Sequence, residues 1–96
     1  MNRTLNVIGP QIRKLRDQRG WTQEVFAQKM QLAGWDVSRV SVAKLEARLR
    51  WTSDVEILFI ARVFGVALND LFPSGVNLKK IGALLRTGKA EINPSR

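Results

Sequence analysis

The chain has 96 residues, with 16 Lys and Arg against 8 Asp and Glu and a formal net charge of +8; this is one domain's worth, without room for a catalytic domain beside a separate binding domain. It contains no Cys and no His, which removes thiolate and imidazole metal ligands, Cys and His nucleophiles, His-dependent triads and any disulfide framework. The charge balance favours a polyanionic partner, nucleic acid ahead of an anionic membrane surface.

No stretch approaches the roughly 20 apolar residues of a membrane span or has the build of a secretory signal, so a soluble, cytoplasmic protein is expected. Residues 1–7 are polar and uncapped and read as a flexible N-terminal arm that could add a backbone contact through Arg3. A first helix should open at Pro10, whose missing N–H is not needed at the first helical position, and should bury Ile8, Ile12 and Leu15. Gly20 should end it. Thr22 suits the N-cap of a second helix, with Glu24 at its positive dipole end and Phe26, Ala27 and Met30 on its buried face.

Gly34 interrupts this pattern, and Ser38 offers a fresh N-cap. The short, basic third helix that follows should turn Val42 and Leu45 inward and leave Arg39, Ser41, Lys44 and Arg48 outside. Ser53-Asp54-Val55-Glu56 fits a capping box for a fourth helix, whose Ile57, Ile60, Ala61 and Phe64 share one face and which Gly65 closes. Leu68, Leu71 and Phe72 suggest a short fifth helix stopped by Pro73. Leu78, Ile81, Leu84 and Leu85 again fall at helical spacing, opposed by Lys79, Lys80, Arg86 and Lys89. With no strand pattern, the expected fold is all-α: a compact bundle of five short helices over 8–73, a C-terminal amphipathic helix over 74–90 and a frayed tail at 91–96.

A capped, basic third helix suggests DNA recognition, because an α-helix fits the B-DNA major groove. Ile12-Arg13-Lys14-Leu15-Arg16, Trp21-Thr22-Gln23-Glu24, Phe26-Ala27, Ser38 with Val42, Leu45-Glu46, Ile60-Ala61 and Phe64-Gly65-Val66 together resemble the lambda-repressor-like, Cro-type (XRE) helix-turn-helix family over roughly Ile8 to Phe72. The resemblance implies a DNA-binding transcriptional regulator. It gives Thr22 and Gln23 the start of the second helix, Gln23 touching phosphate and bracing the reading helix. Arg39, Val40, Ser41 and Lys44 then fall at the base-reading positions, Ser38 is a DNA-binding candidate at the helix start, and Arg48, Arg50 and Arg13 lie near phosphates. Arg16 and Glu46 match the family's internal ion pair, the favoured reading; the competing one is an exposed pair worth under about 1 kcal/mol.

Chemistry gives those placements reasons. Arg39 could donate two bonds to guanine N7 and O6, Lys44 could reach a base or a phosphate, and Val40 could touch a thymine methyl. The competing reading of the cluster is a merely solvated charged face. Three features depart from the usual pattern. The segment from Ala27 to Ser38 is long, as in a subset of the family with an extended turn resembling Gly34-Trp35-Asp36-Val37-Ser38-Arg39. Arg48 stands where many members carry a helix-ending Gly, so the helix could run on instead. Trp51 occupies an often basic position and is open between packing on the core edge and lying on the DNA backbone, whereas Trp21 and Trp35 read as packing residues.

The expected activity is repression by a homodimer on a near-palindromic operator, docking over a promoter to occlude polymerase, with no cofactor, no metal and no membrane partner. The Leu78 to Leu85 stripe has four readings: folding back on its own bundle, a dimer seam, a partner-binding helix, or a basic membrane-surface helix. Its third reading keeps open an antitoxin or anti-repressor built on the same DNA-binding core. An enzyme has little support, since Asp54 and Glu56 are explained by capping. The absence of Tyr argues against a base-stacking RNA platform.

Overall fold

The computed structural model describes residues 4–87. Along them run α1 (Gly9–Gln18), α2 (Gln23–Ala33), α3 (Arg39–Glu46), α4 (Asp54–Phe64), a 3-10 turn (Leu68–Leu71) and α5 (Leu78–Thr87), with no strand among the described residues. The all-α architecture matches the sequence expectation; the expected fifth helix is a single 3-10 turn. No helix among the described residues is long and apolar enough to cross a membrane.

Local chemistry sets most of the boundaries. The Thr22 hydroxyl accepts from the Val25 N–H at 3.0 Å and the Ser38 hydroxyl from the Ser41 N–H at 3.0 Å, each satisfying a first-turn amide that the helix itself leaves without an acceptor. At α4 the capping box is complete: Ser53 Oγ accepts from the Glu56 N–H at 3.1 Å, and Glu56 accepts from the Ser53 N–H at 3.0 Å. α1 begins one residue earlier than expected, at Gly9, with Ile8 at its N-cap and no side-chain cap there; Asn6 Oδ1 accepts the Gly9 N–H at 2.8 Å.

The apolar faces meet in one core. Ile8, Ile12 and Leu15 pack with Phe26, Ala27 and Met30 of α2, Val42 and Leu45 of α3, Ile60, Ala61 and Phe64 of α4, and Leu71. Phe26 and Phe64 stack at 4.7 Å, and Trp21 lies over Phe64 at 5.5 Å, so Trp21 is a packing residue. Arg19 covers this stack and donates to the Phe64 carbonyl at 2.7 Å, where α4 would otherwise leave an end carbonyl without a donor.

The extended turn is anchored rather than loose. Gly34 ends α2 at φ 120°, Val37 drops into the core, and the Trp35 ring stands edge-on to Phe59 at 5.7 Å. Gln31 reaches over to donate to the Val37 carbonyl at 2.7 Å. Val37 and Trp35 thereby replace the tight turn as the device that fixes α2 relative to α3.

Three expectations change on structural grounds. The arm expected over residues 1–7 is docked from Leu5 onward: the Leu5 N–H donates to the Arg48 carbonyl at 3.1 Å and Asn6 is buried. Met1 to Arg3 lie outside the described residues. At Arg48 the helix does not run on; α3 stops at Glu46 and Arg48 adopts the left-handed conformation at φ 63°. α5 forms as expected, but Leu78 and Leu85 are 86% and 79% exposed, so its stripe is mostly uncovered. Ile81 shares a groove with Gln11 and Phe72, and Leu84 is half-buried. Lys89 and the tail at 91–96 lie outside the described residues.

Candidate nucleic-acid interface

α3 is held from inside and exposed outside. Val42, Leu45 and Glu46 are buried, while Arg39, Val40 and Lys44 are exposed and Ser41 is half-buried. At about 100° per residue, Val40, Ala43, Lys44 and Ala47 occupy one outward arc, flanked by Arg39 and Ser41. The two alanines keep that arc low, so a groove floor could approach the helix backbone closely. Among the described residues neither Arg39 nor Lys44 takes part in an ion pair.

Behind α3 lies the clamp. Arg16 Nε and one terminal nitrogen donate to the two Glu46 oxygens at 2.7 and 3.0 Å, with side-chain exposures of 10% and 4%. The remaining terminal nitrogen donates to the Trp21 carbonyl at 2.7 Å. Its hydrogen bond to Glu46 holds the Arg16 guanidinium in the charged form more firmly than usual, against the opposing effect of burial. Gln23 Nε2 joins at 3.1 Å from Glu46 Oε1, linking the first residue of α2 to the last of α3. The ion pair is therefore buried and bidentate, and Gln23 adds a third hydrogen bond to the Glu46 carboxylate.

The remaining predicted residues divide. Thr22 and Ser38 spend their oxygens as acceptors in caps, which leaves each hydroxyl hydrogen available to an outside acceptor. Arg13 and Arg48, with Lys14, line an open cleft of about 770 Å³ between α1 and the end of α3. Arg13 also stands 3.9 Å from Asp17, an exposed pair that restrains it only weakly.

Arg50 departs from the expected outward position. Its guanidinium forms two bonds to Glu56 at 3.0 and 3.1 Å and lies 5.5 Å from the Trp35 ring centre, so its charge is answered within the molecule. That hydrogen bonding pulls the Glu56 carboxyl below its ordinary pKa, with the Ser53 N–H adding to the effect against desolvation. Trp51 is 65% exposed and so is not part of the core edge; Leu49 beside it is 45% exposed.

Sequence reasoning missed Asn6 and Arg19. Both act on backbone carbonyls distant in sequence, Asn6 on Leu45 and Arg19 on Phe64. No local pattern marks a side chain whose partner is a carbonyl far along the chain.

Comparison with known proteins agrees with this architecture. The sequence profile of the helix-turn-helix family matches residues 12–71. The restriction-modification controller protein C.AhdI from Aeromonas hydrophila is similar at 29% identity and a TM-score of 0.58, covering 68% of this chain and 87% of its own. The DNA-binding domain of BldD shares the fold at 24% identity and a TM-score of 0.62, over 76% of this chain and 100% of its own. So does the hypothetical transcription factor NHTF from Neisseria, at 22% identity and a TM-score of 0.61, with 84% of each chain covered. A search of curated proteins finds no match. The matched profile runs from within α1 to the end of the 3-10 turn and includes the buried clamp, the capped third helix and its exposed outer arc, so the chain belongs to the helix-turn-helix family, of the lambda-repressor-like, XRE type.

Proposed function

We propose that this protein is a sequence-specific DNA-binding transcriptional regulator that places α3 in the major groove and represses by covering a promoter. The observation that carries this reading is the outer arc of α3, where Arg39 and Lys44 are exposed, without ion pairs among the described residues, on a helix clamped from behind by Arg16 and Glu46. Arg39 stands in the first turn, where a guanidinium can pair with guanine N7 and O6, and Val40, 53% exposed, offers a methyl surface to thymine. Thr22, Gln23, Ser38, Arg48 and Arg13 serve backbone positioning. Arg50 contributes by holding the loop unless DNA draws it away from Glu56. The chain's similarity to C.AhdI, a restriction-modification controller protein, and the net charge of +8 support the same class.

Homodimeric binding to a near-palindromic site is part of the proposal. Its support is a shelf of exposed apolar side chains on the α4 and 3-10 turn surface, Val55, Leu58, Leu68 and Phe72, with exposures of 72%, 43%, 47% and 39%. A monomer leaves this surface in water, and a second copy would remove it. The uncovered stripe of α5 also favours a second reading, an antitoxin or anti-repressor that holds a protein partner there; co-purification of a second small chain with the native protein would support it.

Selection of bound duplexes from a random pool, at one near-physiological salt concentration, tests the function. The wild type should enrich a two-fold motif with half-sites about one helical turn, roughly 34 Å, apart. Arg39→Ala and Lys44→Ala should relax defined positions within each half-site, each losing about 1–3 kcal/mol of discrimination where it reads a base. Identical motifs from all three proteins would move recognition away from α3.

A further inference from the structure

Asn6 is the one uncharged polar side chain buried among the described residues, 7% exposed, and it joins three elements. Its amide nitrogen donates to the Leu45 carbonyl in the last turn of α3 at 3.1 Å and to the Arg50 carbonyl in the α3–α4 loop at 2.9 Å. Its oxygen accepts from the Gly9 N–H at the start of α1 at 2.8 Å. Two carbonyls need donors and one N–H needs an acceptor, so only this orientation of the amide satisfies all three. Next to it the Leu5 N–H bonds the Arg48 carbonyl, and Gly9 lies so close to α3 that a Cβ there would collide with the Leu45 and Glu46 carbonyl oxygens. The N-terminal segment thus straps the far end of α3 and the loop beyond it onto α1.

We infer that Asn6 is a positioning residue for DNA reading, setting the angle at which α3 meets the duplex; this rests on the function proposed above. α3 has eight residues, a rod of about 12 Å. A tilt of about 5° at the Leu45 end therefore moves the Arg39 end by roughly 1 Å, enough to spoil a bidentate base contact whose hydrogen bonds weaken steeply away from ideal geometry. Contacts from Lys and Arg to phosphate tolerate such a shift, because a flexible stem carries the charge and the attraction is weakly directional. Losing the Asn6 amide should therefore reduce sequence discrimination and leave binding to arbitrary DNA nearly intact.

The test compares wild type, Asn6→Ala and Asn6→Asp in the full chain, each binding the wild type's selected duplex and a scrambled duplex of the same length at fixed salt. Asn6→Asp keeps the acceptor for Gly9 but turns oxygen, not N–H, toward the Leu45 and Arg50 carbonyls. Both variants should lose about tenfold in the selected-to-scrambled ratio, the worth of one good base contact, with scrambled binding changed less than about twofold. Thermal melts in parallel identify the folded fraction; if Asn6→Ala does not fold, Asn6→Gln, which sets the amide one methylene farther out, takes its place. A folded variant that keeps the wild-type ratio overturns the positioning role even if it melts lower. A wild type that prefers no duplex overturns the DNA-reading function itself, and the role of Asn6 with it.

Discussion

Arg48 sits at φ 63°, where a side chain with a Cβ is strained and glycine is at ease. It belongs to the C-terminal turn of α3, in which the Leu49 N–H bonds back to the Lys44 carbonyl at 2.8 Å. Its side chain lines the cleft that also holds Arg13 and Lys14. Arg48→Gly should make the protein more stable to urea by about 1 kcal/mol, through relief of that strain. If Arg48 meets a phosphate as proposed, the same variant should bind DNA less tightly, with a salt slope shallower by about 1. Parallel urea and salt titrations read both; a loss of stability, or an unchanged salt slope, contradicts the assignment.

Glu56 gives the residue scale a pH signature. Its carboxyl is pulled below the ordinary value by hydrogen bonding from Arg50, with the Ser53 N–H reinforcing the effect. A lowered folded-state pKa stabilises the fold above the usual carboxylate range and loses that contribution as pH falls through the lowered value. Glu56→Gln should therefore be less stable than wild type at pH 7, and the gap should narrow as the pH falls below the ordinary carboxylate range. Denaturation curves in the two pH regimes measure this, and an equal gap in both would show that the ion pair contributes nothing.

At the scale of elements, α3 depends on two supports of different strength. Ser38→Ala removes an exposed cap and should cost about 1 kcal/mol. Glu46→Ala removes the bidentate partner of the buried Arg16, leaves it, among the described residues, only the exposed Asp17 carboxylate at 3.4 Å, and should cost about 3 kcal/mol. Chemical denaturation distinguishes them, and a cost for Glu46→Ala no larger than the cap's would mean that the clamp behaves as a surface pair. The caps were legible in the sequence because Thr22, Ser38 and Ser53 act on amides three residues ahead. The inward faces of α1, α2, α3 and α4 were legible for a similar reason, since their apolar residues recur at helical spacing.

What the sequence concealed was non-local or geometric. Asn6 and Arg19 bind carbonyls 39 and 45 residues away. Arg50 looked like a free cation until the loop turned it toward Glu56, six residues on. The length of the α2–α3 connection showed that the turn was extended, but not that Val37 would enter the core and Trp35 meet Phe59. The expected fifth helix shrank to one 3-10 turn, ending at Leu71 just before Phe72 and Pro73, where proline removes an N–H and restricts the residue ahead of it.

The whole molecule has two unlike surfaces. Among the described residues, one carries the outer arc of α3 with Arg39 and Lys44, and another carries the apolar shelf of Val55, Leu58, Leu68 and Phe72, with Asp54 at its edge. Under the proposed function nucleic acid meets the first surface and a protein partner the second, since cations suit phosphates and exposed apolar area suits a protein. An NMR titration of the isotope-labelled full chain with its selected duplex measures the assignment at every amide. The account predicts that the largest shifts fall on Thr22, Gln23 and residues 38–44, saturating together as duplex is added. Shifts confined to α5 or the Val55 shelf, with residues 38–44 unmoved, would contradict it.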